Sequence, residues 1–398
     1  MSENYPCPSC GSVGMSIFYE LEGVPAHSVL LLPTREAALG YPRGDIALGF
    51  CSTCGFISNV AFDPVLHEYS SAYEATQAFS PTFNAFADRL ARRLIERYDL
   101  HDKTIIEIGC GQGEFLTLLC ELGDNRGIGF DPAYDSERSP GPTQQSVTFI
   151  KDFYSETYAD HCADFYCCKM TLEHIQHTAD FVSTVRRSLG DQQDAIVFFQ
   201  VPDVTRILQE VAFWDIYYEH CSYFSLGSLA RLFWKCGFEV MSLAKEYDGQ
   251  YLMIEAKPGN GKGQGDSRSR PMEQEDDLEA LVRDVNHFSR NYAHKLDSWQ
   301  RDLRRLKQAG QRAVIWGAGS KGVAFLTTLG IRDEIDFAVD INPHKHGTYM
   351  AGTGQEIVAP EFLREYRPDV VIVMNPVYCD EIQQALDRMG CAAKLRPV

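Results

Sequence analysis

The stretch "IIEIGCGQGEF", Ile105–Phe115, decides the fold. An apolar run interrupted only by Glu107 reads as a strand. Gly109, Gly111 and Gly113 follow at alternate positions, and a helical pattern opens behind them. A strand that passes through glycines into a helix marks a loop whose backbone can approach a ligand closely. The spacing is G-x-G-x-G with an acid two residues ahead, not the G-x-G-x-x-G associated with nicotinamide dinucleotides. Two more acids fall where further strands end. "GIGFDP" closes on Asp131, where a carboxylate suits ribose hydroxyls, and "FIKDFYS" supplies Asp152, placed to meet an adenine amino group.

Outward from this loop, short apolar runs alternate with helical patterns from Thr104 to about Pro258. The predicted strands are "TIIEIG", "RGIGFD", "ADFYCCK", "AIVFFQV", "FEVMSLAKEY" and "YLMIEAKP". Such alternation predicts an α/β fold with a mostly parallel sheet. Residues 75–100 carry apolar positions at helical spacing. "GNGKGQGDSRSRP", Gly259–Pro271, has no large apolar residue and reads as a linker. An amphipathic helix is expected from about Glu275 to Lys307, followed by a second, smaller α/β unit. The chain thus divides into 1–68, 69–258, a linker at 259–274, and 275–398.

The 398 residues include 37 basic and 55 acidic side chains, a formal charge of −18, and 44% hydrophobic residues. Cores can be filled, and the acidic balance argues against a nucleic-acid partner. No apolar run nears the ~20 residues that span a bilayer. "MSENYPCPSC" shows no secretory pattern, so the expectation is a cytoplasmic chain, with no membrane partner, whose 13 cysteines are thiols or metal ligands.

Four of those cysteines form two knuckles, "CPSCG" with Cys7 and Cys10 and "CSTCG" with Cys51 and Cys54. Each C-x-x-C-G turn aims two thiolates at one point. Two knuckles supply the four sulfurs of a closed structural Zn²⁺ site, which would staple a unit with little core of its own.

"VIWGAGSKGV" is a second strand–glycine–helix element, with Gly317, Gly319 and Gly322, and "FAVDINP" ends the next strand on Asp340. Lys321 argues against a nicotinamide dinucleotide and suits a phosphate at a helix N-terminus. Gly319, Lys321 and Gly322 are the candidates to meet such a phosphate. The alternative is a degenerate domain that only closes a cleft.

"FWDIYYEHCSYFS", Phe213–Ser225, sets two tyrosines, a glutamate and a histidine among aromatics. On a strand Glu219 and His220 would point to opposite faces, so they act together only if the run is a loop. The plain alternative is an aromatic core strand with one satisfied histidine. His27, His67, His101, His161, His177, His287 and His294 read as surface or satisfied.

With these motifs placed, nearly the whole chain resembles the bacterial deoxysugar C-methyltransferases. The two knuckles, "EIGCGQG", "YYEHCSYFS" and "GAGSKG…VDINPHKHG" carry the resemblance. It implies a class I S-adenosylmethionine-dependent methyltransferase core, Rossmann-like, flanked by a zinc-binding N-terminal domain and a second Rossmann-like C-terminal domain. By that resemblance Glu107, Gly109, Gly111, Gly113, Asp131 and Asp152 hold S-adenosylmethionine. The C-terminal domain helps to hold a nucleotide-linked sugar. Tyr217, Glu219 and His220 line the active site with His174 of "LEHI", and a tyrosine of "EYSSAYEATQ", Tyr69 or preferably Tyr73, enters it. Two segments depart from the family: "YDGQYLMIE" (Tyr247–Glu255) stands in place of a His-Gly-Gly-Ser segment, and "YEATQAFSPTF" also differs.

A carbon nucleophile needs a base for the proton α to a carbonyl and donors for the enolate oxygen. His220 is the expected base and Tyr217 the expected donor, with Glu219 orienting the imidazole or binding a sugar hydroxyl. Competing expectations are an O- or N-methyltransferase for another small metabolite, and an NAD-dependent oxidoreductase built on the C-terminal loop. The expected oligomeric state is a monomer or dimer.

Overall fold

The computed structural model describes residues 5–66, 73–137, 146–259, 272–331 and 333–398. Tyr69, His67, the 68/69 boundary and nearly all of the Gly259–Pro271 linker lie outside them.

The N-terminal unit is a sheet of β1 (Ser16–Pro25), β2 (Arg43–Phe50) and β3 (Ile57–Asn59), with the short helix α1 (Arg35–Leu39) between β1 and β2. Its two cysteine knuckles come together. Next is α2 (Pro81–Tyr98), capped by the Ser80 hydroxyl with Pro81 in its first turn. A helix was expected from 75. Ser80 followed by Pro81 sets the later start, because Pro restricts the residue before it to extended backbone. Residues 74–79 are left as irregular chain with a turn at 78–79, and they become a cavity wall.

The central unit follows as β4 (Thr104–Ile108), α3 (Glu114–Gly123), β5 (Arg126–Phe130), β6 (Val147–Ile150), β7 (Phe165–Lys169), α4 (Thr178–Ser188), β8 (Ile196–Pro202) and α5 (Val204–Glu210). After the two-residue β9 (Ser222–Tyr223) come α6 (Leu226–Lys235), β10 (Phe238–Glu246) and β11 (Tyr251–Pro258). Its seven-stranded sheet has the order β10-β11-β8-β7-β4-β5-β6, with β11 antiparallel to both neighbours. All six strands expected here from sequence are present. The order reverses at β4, so the loop after β4 opens at the topological switch point, where ligands of such sheets bind.

The strand β9 does not join that sheet. It pairs with β3 and completes the N-terminal sheet as β1-β2-β3-β9. The division near residue 68 is therefore crossed by a β-ladder.

The long helix α7 (Leu278–Gln308) seats Phe288 and Tyr292 edge-on against Tyr19 of β1, at centroid distances of 5.5 and 4.9 Å. The C-terminal unit then runs β12 (Ala313–Trp316), α8 (Ser320–Leu329), β13 (Phe337–Val339), β14 (Glu356–Val358), α9 (Leu363–Tyr366), β15 (Val370–Val373), α10 (Cys379–Met389) and β16 (Lys394–Pro397). Its five strands are parallel, in the order β14-β13-β12-β15-β16. This is the second α/β unit expected from the sequence.

Candidate active site

The loop after β4 takes three left-handed glycines, with φ of 70° at Gly109, 57° at Gly111 and 84° at Gly113. They serve different ends. A Cβ on Gly109 would lie 2.1 Å from Thr171 Oγ1, and one on Gly113 would lie 2.3 Å from the Phe149 ring. Gly113 therefore packs under the loop instead of facing a ligand. A Cβ on Gly111 would meet nothing within 4 Å; that residue needs glycine for its backbone.

The loop borders a cavity of about 860 Å³ whose wall includes Glu107, Gly109, Gly111, Asp131 and Asp152. Five of the six expected cofactor residues thus share one cleft. Glu107 is 3% exposed, and among the described residues its Oε2 has no hydrogen-bond partner. Burial pushes its carboxyl up to about 7, against the pull of the Lys169 ammonium. An orphaned buried carboxyl oxygen beside an open glycine loop fits a ligand that brings its own donors. Asp131 Oδ2 accepts from Gly111 N–H at 2.9 Å and Oδ1 from Ala133 N–H at 2.8 Å, which fixes the carboxylate on the rim. Asp152 Oδ2 accepts from the Tyr158 hydroxyl at 2.6 Å.

A second cavity, about 330 Å³, lies between the central and C-terminal units. Tyr73, Met170 and His174 line both cavities, so the two clefts share a wall. Met170 holds φ 52°, a strained value for a residue with a side chain. Its backbone N–H donates to Gln200 O at 2.8 Å.

The Phe213–Ser225 run is mostly loop and not a core strand, and it is fastened to all three units. Phe213 stacks on Phe325 of α8 at 6.0 Å, and Trp214 packs beside it. Tyr218 packs on Phe62 at 5.2 Å, and Asp63 N–H donates to its hydroxyl at 2.8 Å. Ser225 ends the run by capping α6 in a reciprocal pair with Ser228. The aromatics are anchors that leave Tyr217 and His220 on the wall of the second cavity.

There the Tyr217 and His220 rings lie 4.1 Å apart between centroids, and His174 meets His220 edge-on at 4.8 Å. Burial raises the Tyr217 hydroxyl well above its ordinary value, so it remains a donor. Burial lowers His174, which keeps that imidazole neutral. Its Nδ1 lies 3.0 Å from the Glu219 carbonyl oxygen, so Nδ1 carries the proton.

Glu219 departs from its expected role. Its carboxylate does not line the cavity. Oε1 accepts from His27 at 2.8 Å and from Ser28 N–H at 3.1 Å, while Oε2 accepts from the Ser28 hydroxyl. The imidazole it orients is that of His27. His27 is satisfied, as the sequence has it, but fully buried and part of the site's frame. With Ser28 and Glu173 it is a site residue that sequence reasoning missed. No local pattern marks His27 or Ser28; Glu173 stood in the quoted "LEHI" beside His174.

On the opposite wall, Gly319 and Lys321 line the cavity, and Gly322 does not. A Cβ there would lie 2.5 Å from Gly317 O, so Gly322 serves close packing of the loop. Lys321 is ion-paired to Asp215 at 2.8 Å and donates to Gln250 Oε1 at 3.2 Å. Asp340 accepts from Ala318 N–H at 3.0 Å and from Lys345 at 3.2 Å. The Tyr247–Glu255 segment reaches the same place: Gln250 and Asn375 exchange side-chain amide hydrogen bonds at 3.0 and 3.1 Å, and Tyr247 bonds Tyr378 at 2.7 Å.

In the N-terminal unit the sulfurs of Cys7, Cys10, Cys51 and Cys54 lie within 4.8 Å of one another. Among the described residues, no helix is long and apolar enough to cross a membrane.

Comparison with known proteins agrees with this layout. Residues 82–243 match the model of a methyltransferase domain, and residues 252–393 match that of a C-methyltransferase C-terminal domain. The chain is similar to C-methyltransferase NovU of Streptomyces niveus, 26% identical over 305 residues, 74% of this chain and 71% of that one. Similar solved structures include magnesium protoporphyrin IX methyltransferase from Synechocystis PCC 6803 with bound SAH. It is 14% identical, with a TM-score of 0.36, over 47% of this chain and 89% of that one. Another is 1,6-didemethyltoxoflavin-N1-methyltransferase of Burkholderia thailandensis, 15% identical, with a TM-score of 0.33, over 44% of this chain and 79% of that one. Switch-point loop, orphaned Glu107 and both matched domain models agree: the chain is an S-adenosylmethionine-dependent methyltransferase.

Proposed function

We propose that this enzyme methylates a carbon atom of a nucleotide-linked keto-deoxysugar through an enolate. The observation that carries the reading is the pairing of Tyr217 with His220 on a cavity that shares the Tyr73–Met170–His174 wall with the glycine-loop cleft. S-adenosylmethionine, when bound, supplies an electrophilic methyl group. Glu107, Gly109, Gly111, Asp131 and Asp152 would hold it. The chain's own task is to make and align the nucleophile. His220 takes the proton next to the carbonyl, Tyr217 donates to the oxygen on which charge develops, and the anchored aromatics exclude water. Gly319 and the N-terminus of α8 meet the nucleotide portion. The four cysteines hold a structural Zn²⁺, with no open position for chemistry. The enzyme acts in the cytoplasm on a small molecule, as a monomer or dimer, without a nucleic-acid or membrane partner.

A second reading is favoured by one observation. Lys321 and Lys345 are both already paired with carboxylates, which suits an acceptor without a diphosphate and hence an O- or N-methyltransferase for another small metabolite. The deciding experiment incubates nucleoside-diphosphate-linked keto-deoxyhexoses with isotopically labelled S-adenosylmethionine and locates the label by mass spectrometry. A methyl on carbon supports the proposal; one on oxygen or nitrogen transfers support to the second reading.

A further inference from the structure

We propose that Glu173 is a further catalytic residue, which as the neutral carboxylic acid donates a hydrogen bond to the enolate oxygen alongside Tyr217. This rests on the enolate reading above. Glu173 sits in the single turn Leu172–His174 after β7 and lines the second cavity. It is 1% exposed, and among the described residues no other residue hydrogen-bonds to either carboxyl oxygen. One atom each from its carboxyl, the His174 ring and the His220 ring all lie within 4.8 Å of one another. Two orphaned oxygens on one buried side chain require an explanation, since polar groups in a core are otherwise paired.

The surroundings choose the protonation state. His174 adjoins Glu173 in its own turn. His220 comes close to it from the anchored run, Cys221 Sγ donates to its backbone carbonyl, and Tyr217, Cys168 of β7 and Tyr251 of β11 lie within electrostatic reach. An ionised carboxylate without a donor would be costly in such a place, so the acid form is held. Burial pushes the Glu173 carboxyl up to about 8. A carboxylic acid kept neutral near pH 7 is a strong donor to a developing oxyanion. In the step, His220 nitrogen takes the α proton and the C–H electron pair moves into the carbonyl, placing charge on oxygen. The Glu173 O–H hydrogen-bonds to that oxygen without transferring its proton. With S-adenosylmethionine bound, the enolate carbon would take its methyl group as the methyl–sulfur bond breaks, the bonding pair leaving on sulfur as S-adenosylhomocysteine while the carbonyl reforms.

Two measurements test this. Infrared spectroscopy of protein carrying ¹³C-carboxyl glutamate is expected to show a protonated carboxyl band at pH 7. Glu107, raised to about 7, contributes to that band, so the Glu173 share is the component missing from Glu173→Gln, and that component should be lost in the native enzyme as pH rises through about 8. Exchange of the α hydrogen of a nucleoside-diphosphate-linked keto-deoxyhexose with D₂O is expected to fall above the same pH, because the donor is lost when the acid ionises. Glu173→Gln keeps an N–H donor, so it should lose only about tenfold and show no such fall. Glu173→Leu should lose about 10²–10³-fold. Unchanged S-adenosylhomocysteine binding checks that both variants fold. An ionised Glu173 at pH 7, a metal ion held by its carboxylate, or full exchange in Glu173→Leu overturns the proposal. An enzyme that shows the protonated band yet exchanges no carbon-bound hydrogen overturns the enolate reading and this role with it.

Discussion

His27 Nδ1 lies 2.8 Å from Glu219 Oε1, joining residues 192 positions apart in the chain. The contact ties the segment after β1 to the turn that carries His220. Burial alone would raise the Glu219 carboxyl, but hydrogen bonds and charge from His27 and hydrogen bonds from Ser28 bring it below its ordinary value of 4.5. A lowered folded-state value means stabilisation that is present above the unfolded value and lost as pH falls. Denaturant midpoints should therefore drop below about pH 4.5 partly through this group. His27→Ala should cost about 2–3 kcal/mol, as expected for a hydrogen bond to a buried charge. An unchanged midpoint in His27→Ala would remove Glu219 from the frame.

Glu107 leads to a pH dependence of donor binding. Its carboxyl is raised to about 7, so the neutral form dominates below that pH and the carboxylate above it. S-adenosylhomocysteine brings an ammonium group and hydroxyls, which bind a carboxylate better than an acid. Calorimetric affinity should rise as pH passes upward through about 7. Glu107→Gln should flatten the profile and weaken binding at pH 8 by about 10–100-fold. A native profile that is flat, or that slopes the other way, contradicts this placement.

The four clustered sulfurs predict one Zn²⁺ per chain by elemental analysis, retained through dialysis and released by strong chelators or acid. Cys7→Ser should lower the thermal midpoint and promote aggregation. Because β9 pairs with β3, directly after the second knuckle, zinc loss should also reduce turnover by displacing the loop proposed to carry the base His220. Zinc-free protein with full activity and an unchanged midpoint would reject the site.

Asp215 pairs with both Arg206 and Lys321 at the edge of the second cavity. Asp215→Asn should leave two cations undercompensated, costing about 1–3 kcal/mol of stability. Thymidine or uridine diphosphate should then bind several-fold more tightly. If neither nucleotide responds, these cations do not face a diphosphate, and the nucleotide-linked acceptor loses its support at this wall.

Much of this architecture was legible because its signals are local. The strand-to-helix glycine loop lies within eleven residues of sequence, and each knuckle within five. The same locality explains the clustering of Glu107, Gly109, Gly111, Asp131 and Asp152, which lie at or just after the strand ends of one sheet. What escaped depends on distant contacts. Nothing near His27 announces Glu219, and nothing near Lys321 announces Asp215, 106 residues away. The Ser80–Pro81 pair was a local signal of the helix start, outweighed by the apolar spacing around it. Gly113 and Gly322 fit a ligand-loop pattern, but the nearest atoms are Phe149 and Gly317, so packing chose those glycines.

The pairing of β9 with β3 limits how this enzyme can diversify. The strand that follows His220 belongs to the N-terminal sheet by hydrogen bonding and to the central unit by sequence. A recombination event at the unit boundary would therefore deliver a sheet lacking its fourth strand and a His220 loop lacking its support. Exchange of whole units between relatives should fail where point changes in the C-terminal cavity wall succeed. New acceptors would then arise by retouching that wall, while the N-terminal unit and the loop are inherited together.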